Sequence, residues 1–280
     1  MRHWTALLLF AGSVLRAQAP SPPQEAVKPV IENTGKPMRV TFQCTEQDVD
    51  SAGMSCTEEE PCPVYLELSG VANVGNRLFV AGNIHSASAT LYSILLSSDD
   101  IGKTWREPYE RLQGAGLEHI QFLDFQAGWI SGQSLQPLPK DPFFLITDDG
   151  GKSWRQRPMF SESRVGTVQQ FWFDTRKTGV LIMDRAQSGE SGARYEKYET
   201  MTGGESWMLR EGSDRPIRLP RSPNRTEELG WRIHADAASK AFRIEKRQGE
   251  GWNPVASFLV TVGECKPTPR SVVEPPPALP

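Results

Sequence analysis

The sequence predicts an all-β fold, a β-propeller of about four to five four-stranded blades, and two observations carry that expectation. A short stretch closing on tryptophan occurs four times, and a second marker precedes each copy with the same period. Composition agrees: 24 Gly and 22 Pro in 280 residues leave room for many short elements joined by turns, and long helices are not expected.

The first marker reads SDDIGKTW up to Trp105, TDDGGKSW up to Trp154, TMTGGESW up to Trp207 and a decayed EKRQGEGW up to Trp252. These tryptophans lie 49, 53 and 45 residues apart. The second marker centres on Phe79 in RLFVAG, Trp129 in AGWISG, Val180 in TGVLIM and Trp231 in LGWRIHA, at spacings of 50, 51 and 51. Two independent markers on one period define a tandem repeat of about 50 residues, the size of one propeller blade.

Within a unit the pattern is strand-like. EHIQFLDF, GWISG, PFFLIT and SWRQRPM are short runs rich in β-branched and aromatic residues, separated by Gly, Asp, Pro or Ser. The tryptophan-closed stretch, called the box below, then falls at the turn from third to fourth strand. Val40 to Gln43 and Ser257 to Val262 are further strand-like runs, expected to pair and close the ring.

The two ends read differently. Residues 1–19 carry Arg2 before an apolar run from Trp4 to Leu15 and end in Ala17-Gln18-Ala19, the pattern of a secretory signal peptide cleaved near Ala19. No second long apolar run follows, so no membrane span is expected, and the localisation implied is periplasmic or secreted. The expected organisation is a Pro-rich linker over 20–37, a propeller over 38–265 and a Pro-rich disordered tail over 266–280. Loss of Arg2 and Arg16 takes the net charge from −3 to −5. That mild acidity gives no reason to expect nucleic acid as a partner.

Four cysteines in an exported chain favour disulfides over free thiols. Three connectivities are possible. Cys56 and Cys62 bracket the short loop CTEEEPC, whereas Cys44 and Cys265 follow strand-like runs near the two ends, so Cys56–Cys62 and Cys44–Cys265 are the expected pairs. A zinc site would require paired CxxC spacing, which is missing.

On these residues the chain resembles the Asp-box, or bacterial neuraminidase, repeat, Ser/Thr-x-Asp-x-Gly-x-Thr/Ser-Trp. Ser98, Asp100, Gly102, Thr104 and Trp105 fit it fully, as do Thr147, Asp149, Gly151, Ser153 and Trp154. The third copy keeps Thr200, Gly204, Ser206 and Trp207 but carries Thr202 in place of the aspartate, and the fourth keeps only Gly249 and Trp252. With the Gly-Trp marker upstream, the chain is similar to the photosystem II assembly and stability factors and their relatives in non-photosynthetic bacteria, over roughly residues 64–257. That resemblance implies a non-catalytic protein-binding or assembly scaffold with no cofactor. The box is specific for architecture and weak for function.

The chemistry of the residues gives the same order of preference. A box aspartate accepts backbone N–H bonds as an Asx turn does, and its glycine supplies positive φ, so both are expected to be structural. A glycan-acting propeller, sialidase-like hydrolase or lectin, is the alternative. The hydrolase requires an arginine cluster and a tyrosine paired with a glutamate, and Tyr195 beside Glu196 is the nearest approach to that pair. Strand alternation sends those two neighbours to opposite faces. No catalytic residue is therefore assigned.

Asp48, Asp50, Gly53 and Glu59 occupy positions 1, 3, 6 and 12 of a calcium-loop template, but Ala52 stands at position 5 and no helical pattern flanks the loop, so no metal site is expected. His85, His119 and His234 form no spaced ligand set. Arginines follow each box, and the resemblance to the assembly factors, which are associated with an arginine-rich patch, makes Arg155, Arg157, Arg164, Arg215 and Arg218 the candidates for binding another protein. The sequence leaves the oligomeric state open.

Overall fold

The computed structural model describes residues 30–185 and 192–266, with the side chains of 224–226 outside that description. The expected leader over 1–19 and the tail beyond Lys266 lie outside the described residues. In chain order the elements are β1 (Ile31–Glu32), α1 (Glu46–Ser51), β2 (Cys62–Val74), β3 (Arg77–His85), β4 (Thr90–Ser98) and β5 (Thr104–Trp105). Then come β6 (Ala115–Phe122), β7 (Gly128–Ser134), β8 (Lys140–Thr147), β9 (Arg155–Pro158), β10 (Thr167–Phe173), β11 (Gly179–Asp184), β12 (Tyr195–Thr200) and β13 (Met208–Ser213). A 3₁₀ helix at Pro223–Leu229 precedes β14 (Trp231–Asp236), β15 (Ala241–Gln248), β16 (Gly251–Leu259) and β17 (Thr261–Cys265).

These strands form antiparallel propeller sheets in the orders β17-β2-β3-β4, β6-β7-β8-β9, β10-β11-β12-β13 and β14-β15-β16. The period read from sequence fixes what lies between them. Phe79, Trp129 and Trp231 each point from their own sheet into the interface with the next, and Trp105, Trp154 and Trp207 point back into the interface with the one before. Phe79 and Trp154 meet between the first and second sheets, with ring centroids 6.0 Å apart. Between the second and third, Trp129 stacks on Phe173 at 3.9 Å, and Trp207 packs on Phe144 and Phe173. Trp231 and Trp105 join the core between the fourth and first sheets, Trp105 lying edge-on to Phe258.

By the repeat, Val180 and Trp252 correspond to the remaining interface, third to fourth. Neither joins an aromatic core; Trp252 lies under the guanidinium groups of Arg232 and Arg247, at 4.4 and 4.9 Å, both from its own sheet. Among the described residues no hydrophobic cluster links these two sheets. The repeat explains the difference. Trp231 lies at the start of β14 as Trp129 lies at the start of β7, so β14 corresponds to a second strand and the fourth sheet lacks a first. The 3₁₀ helix takes that place, near β2, β6, β10 and β14.

Closure uses the ends of the chain, though not as the strand-like runs predict. Residues 40–43 form no strand. Instead β1 pairs with β5 at the outer edge of the first sheet, and Met38 bridges Phe258 of β16 in parallel. Asn33 lies between these contacts, its Nδ2 donating to the carbonyls of Gly102 and Val255. Residues 31–37, expected to belong to a linker, thus strap the first sheet to the fourth, because strand edges at both outer strands offer backbone partners. Past β16 the chain turns inward as β17 and pairs with β2. Cys44 is bonded to Cys265 across 221 residues, and Cys56 to Cys62.

The segment after Cys44 holds a helix that the sequence reading missed. Thr45 caps α1, its hydroxyl accepting from the Asp48 N–H while the Asp48 carboxylate accepts from the Thr45 N–H. Tyr92 donates its hydroxyl to the same carboxylate at 2.5 Å. Burial, that hydrogen bond and the charge of Asp48 push the Tyr92 phenol up to about 12. Asp48 is therefore engaged as a cap and anchor. Among the described residues no group of three or more His, Cys, Asp or Glu is placed to hold a metal ion.

Candidate functional site

The boxes are turns whose groups satisfy one another. In the second, Thr147 donates its hydroxyl to Asp149 Oδ1 at 2.8 Å and accepts the Gly151 N–H at 2.8 Å. Asp149 Oδ1 takes the N–H groups of Lys152 and Ser153, both at 3.0 Å, and Oδ2 takes the Ser153 hydroxyl at 2.6 Å. The first box repeats this with Ser98, Asp100, Gly102, Lys103 and Thr104. Burial opposes ionisation of both aspartates, but the bonds from Thr104, Ser98 and Lys103, and from Ser153, Thr147 and Lys152, outweigh it and hold each carboxyl at about 2. Such a carboxylate stays charged at neutral pH with its lone pairs occupied, so it is a poor proton donor.

Glycine is required in these turns on two counts. Gly151 has φ +82°, and a Cβ there would lie 2.4 Å from the Phe79 ring on the neighbouring sheet. Gly102, at φ +83°, presses against Val255 of the fourth sheet in the same way.

The third box is looser. Thr202 accepts the Ser206 N–H at 3.0 Å and meets the Ser206 hydroxyl at 3.0 Å, but it has no second oxygen to collect the remaining donors. A Cβ on Gly204 would stand 3.4 Å from Phe173, at ordinary contact distance. The fourth copy is a two-residue hairpin, Gln248 pairing with Gly251 and Gly249 at φ +61°.

The arginines divide into two groups. Arg155 and Arg157 on β9 both reach Glu205 of the third box, and Arg155 also meets Asp148, so these two tie the second sheet to the third. Arg164 turns toward β12, its Nη2 3.4 Å from both oxygens of Glu196 and its guanidinium over Phe160 at 4.9 Å. Arg215 and Arg218, by contrast, lie exposed on the segment between β13 and the 3₁₀ helix, and their side chains make no ion pair among the described residues.

Glu196 organises a cluster the sequence reading did not find. It accepts the Tyr198 hydroxyl at 2.6 Å, Arg185 Nη1 at 3.2 Å and, more distantly, Arg164. Burial, the hydrogen bond to Glu196 and its charge raise the Tyr198 pKa. Alternation along β12 was the available clue, because i and i+2 share a face and so pair Glu196 with Tyr198, whereas Tyr195 lies under Arg194. Beside this cluster, between the second and third sheets, opens a cleft of about 710 Å³ lined by Met159, Phe160, Arg164, Arg185, Glu205 and Trp207, among others.

Two half-buried ionisable groups lie on the innermost strand β6. Burial and the charge of Glu67 raise the pKa of Glu118, whose carboxylate accepts from Gln133 at 3.3 Å. Burial holds His119 down at about 4, so its imidazole is neutral at physiological pH.

The fold and site together define a β-propeller whose tandem turns are structural. No protein-family model matches the chain, and no curated protein sequence does. Solved structures are similar at low identity. One is YCF48 bound to a D1 peptide, at 17% identity and TM-score 0.37 over 71% of this chain and 57% of that one. A second is the Penicillium chrysogenum α-L-arabinanase complexed with arabinobiose, at 14% identity and TM-score 0.37 over 71% and 62%. A third is the phage phi92 endosialidase, at 9% identity and TM-score 0.37 over 76% and 44%. Each match spans less than two thirds of the structure it was found with.

Proposed function

We propose that this chain is an exported, non-catalytic propeller that holds another protein, in the manner of the photosystem II assembly and stability factors and their relatives that its repeat resembles. The observation that supports this most is the division of the arginines. Arg155, Arg157 and Arg164 are drawn into contacts between sheets, while Arg215 and Arg218 stand exposed without an ion pair among the described residues, available to acidic groups on a partner. The two disulfides fit folding in an oxidising compartment. No helix among the described residues is long and apolar enough to cross a membrane.

The test is capture of the partner from the native host with the tagged chain, followed by identification of what co-purifies. Exchanging Arg215 and Arg218 together for glutamate is expected to abolish recovery of that partner; undiminished recovery argues against the surface. N-terminal sequencing of the exported protein is expected to begin at Pro20.

A glycan-hydrolysing reading has one observation in its favour, the Tyr198–Glu196 pair with Arg164 and Arg185 beside it. Tyr198 is only 2% exposed, however, so its hydroxyl meets Glu196 rather than a substrate. A fluorogenic sialoside assay is expected to give no turnover above buffer.

A further inference from the structure

The cleft between the second and third sheets sets arginine beside aromatic surface. Its volume, about 710 Å³, falls in the range of small-molecule sites. Its wall combines the flat apolar surfaces of Phe160 and Trp207 with Arg164 and the Ser161, Ser163 and Ser206 residues. Arg164 is fixed in place: its N–H donates to Asp141 Oδ1 at 2.9 Å, its carbonyl accepts the Asp141 N–H at 2.8 Å, and its guanidinium lies over Phe160 and Tyr198.

Fixed in place, Arg164 is nevertheless poorly satisfied. Glu196 already holds Tyr198 at 2.6 Å and Arg185 at 3.2 Å, and Arg164 reaches it only at 3.4 Å through Nη2. Its Nε is buried without an acceptor, so it is the remainder of the guanidinium that meets the cleft, the side chain as a whole being 32% exposed. A guanidinium has five N–H donors in a planar fork suited to a carboxylate. The Glu205 carboxylate, which also lines the cleft, is engaged by Arg155 and Arg157, which leaves Glu162 as the opposing charge of the lining.

We propose that this cleft binds a carboxylate carried on an apolar or aromatic body, with Arg164 taking the carboxylate and Phe160 and Trp207 the body. The ligand is a free organic acid or the carboxyl end of a polypeptide; the chemistry is shared. The site is separate from the Arg215 and Arg218 surface, so either stands if the other fails.

The probes are phenylacetate and a short acetylated peptide ending in Phe with a free carboxylate, each set against its amide. Titrated into the mature protein, at least one acid is expected to shift the Trp207 indole N–H resonance and to saturate at about 1 mM or tighter, with its amide at least tenfold weaker. Whichever acid binds more tightly names the source. Arg164→Gln is expected to weaken binding at least tenfold. Should that variant unfold, Glu162→Gln, which alters only an exposed charge, is expected to tighten binding about two- to threefold. No saturable shift with either acid, or equal binding of acid and amide, overturns the proposal.

Discussion

The turn at Thr147–Trp154 and the turn at Gln248–Trp252 descend from one repeat and now do different work. In the first, one carboxylate collects two backbone N–H groups and two hydroxyls, its glycine presses on Phe79, and its tryptophan is 8% exposed in an aromatic core. In the second, no carboxylate holds the hairpin and Trp252 faces arginines of its own sheet. Only the most decayed copy borders an unsealed interface, since the third box, without its aspartate, still delivers Trp207 to the core of Phe144 and Phe173. The two full boxes supply tryptophans to the interfaces of the first sheet, the third lies in the interface between the second and third sheets, and the decayed fourth borders the interface with no apolar cluster. The lesson is that the box acts as a spacer that sends its tryptophan toward the neighbouring sheet, and the copy whose neighbour offers no apolar cluster is the one that keeps least of it.

Substitutions that equalise the two turns test this reading. Trp154→Ala is expected to cost the most, about 3–5 kcal/mol by urea denaturation, since it empties a ring-sized space against Phe79 and Phe122. Asp149→Ala is expected to cost about 2–3 kcal/mol, because four donors lose their acceptor. Its acid dependence carries a sign. The folded Asp149 and Asp100 carboxyls lie at about 2, below the unfolded range, so their stabilisation is full above about pH 4 and is lost as pH falls toward 2. Asp149→Asn is accordingly expected to flatten the acid limb of the stability profile; an unchanged limb argues against the carboxylate's role.

Trp252→Ala is expected to cost only about 1 kcal/mol, the loss of two half-exposed cation–π contacts. Thr202→Asp is the smallest change and the one that improves the molecule. By restoring an acceptor for the Glu205 N–H it is expected to stabilise by about 0.5–1 kcal/mol, seen as a Tm raised by roughly 1–4 °C.

Much of this was legible in the sequence, and the reasons are physical. Period alone located the sheets, because a repeat that buries one face against its neighbour must keep that face's residues at a fixed spacing. The box aspartates were readable as turn residues because their bonds are local, within four positions. What escaped was set by distance along the chain. Residues 31–37 look like linker because their partners, Thr104, Trp105 and Val255, lie 70 residues or more away. Arg155 and Arg157 read as free surface charge until Glu205, some 50 residues on, takes them. The Glu196–Tyr198 cluster follows the i, i+2 rule, yet the eye is drawn to Tyr195 as the immediate neighbour. The Thr45–Asp48 capping box is a local signature that goes unread where the same aspartate is set only against a calcium-loop template.

The central claim, three sealed interfaces and one spanned by a 3₁₀ helix in place of a strand, is tested most directly by native-state hydrogen exchange on the second strands of the sheets. The amides of β7 bond to strands on both sides, to β6 and β8, whereas among the described residues β14 is laddered only to β15. The account predicts that the β14 amides pointing away from β15, and those of the 3₁₀ helix, exchange through local opening at least tenfold faster than any in the centre of β7. Equal protection of β14 and β7 would contradict it.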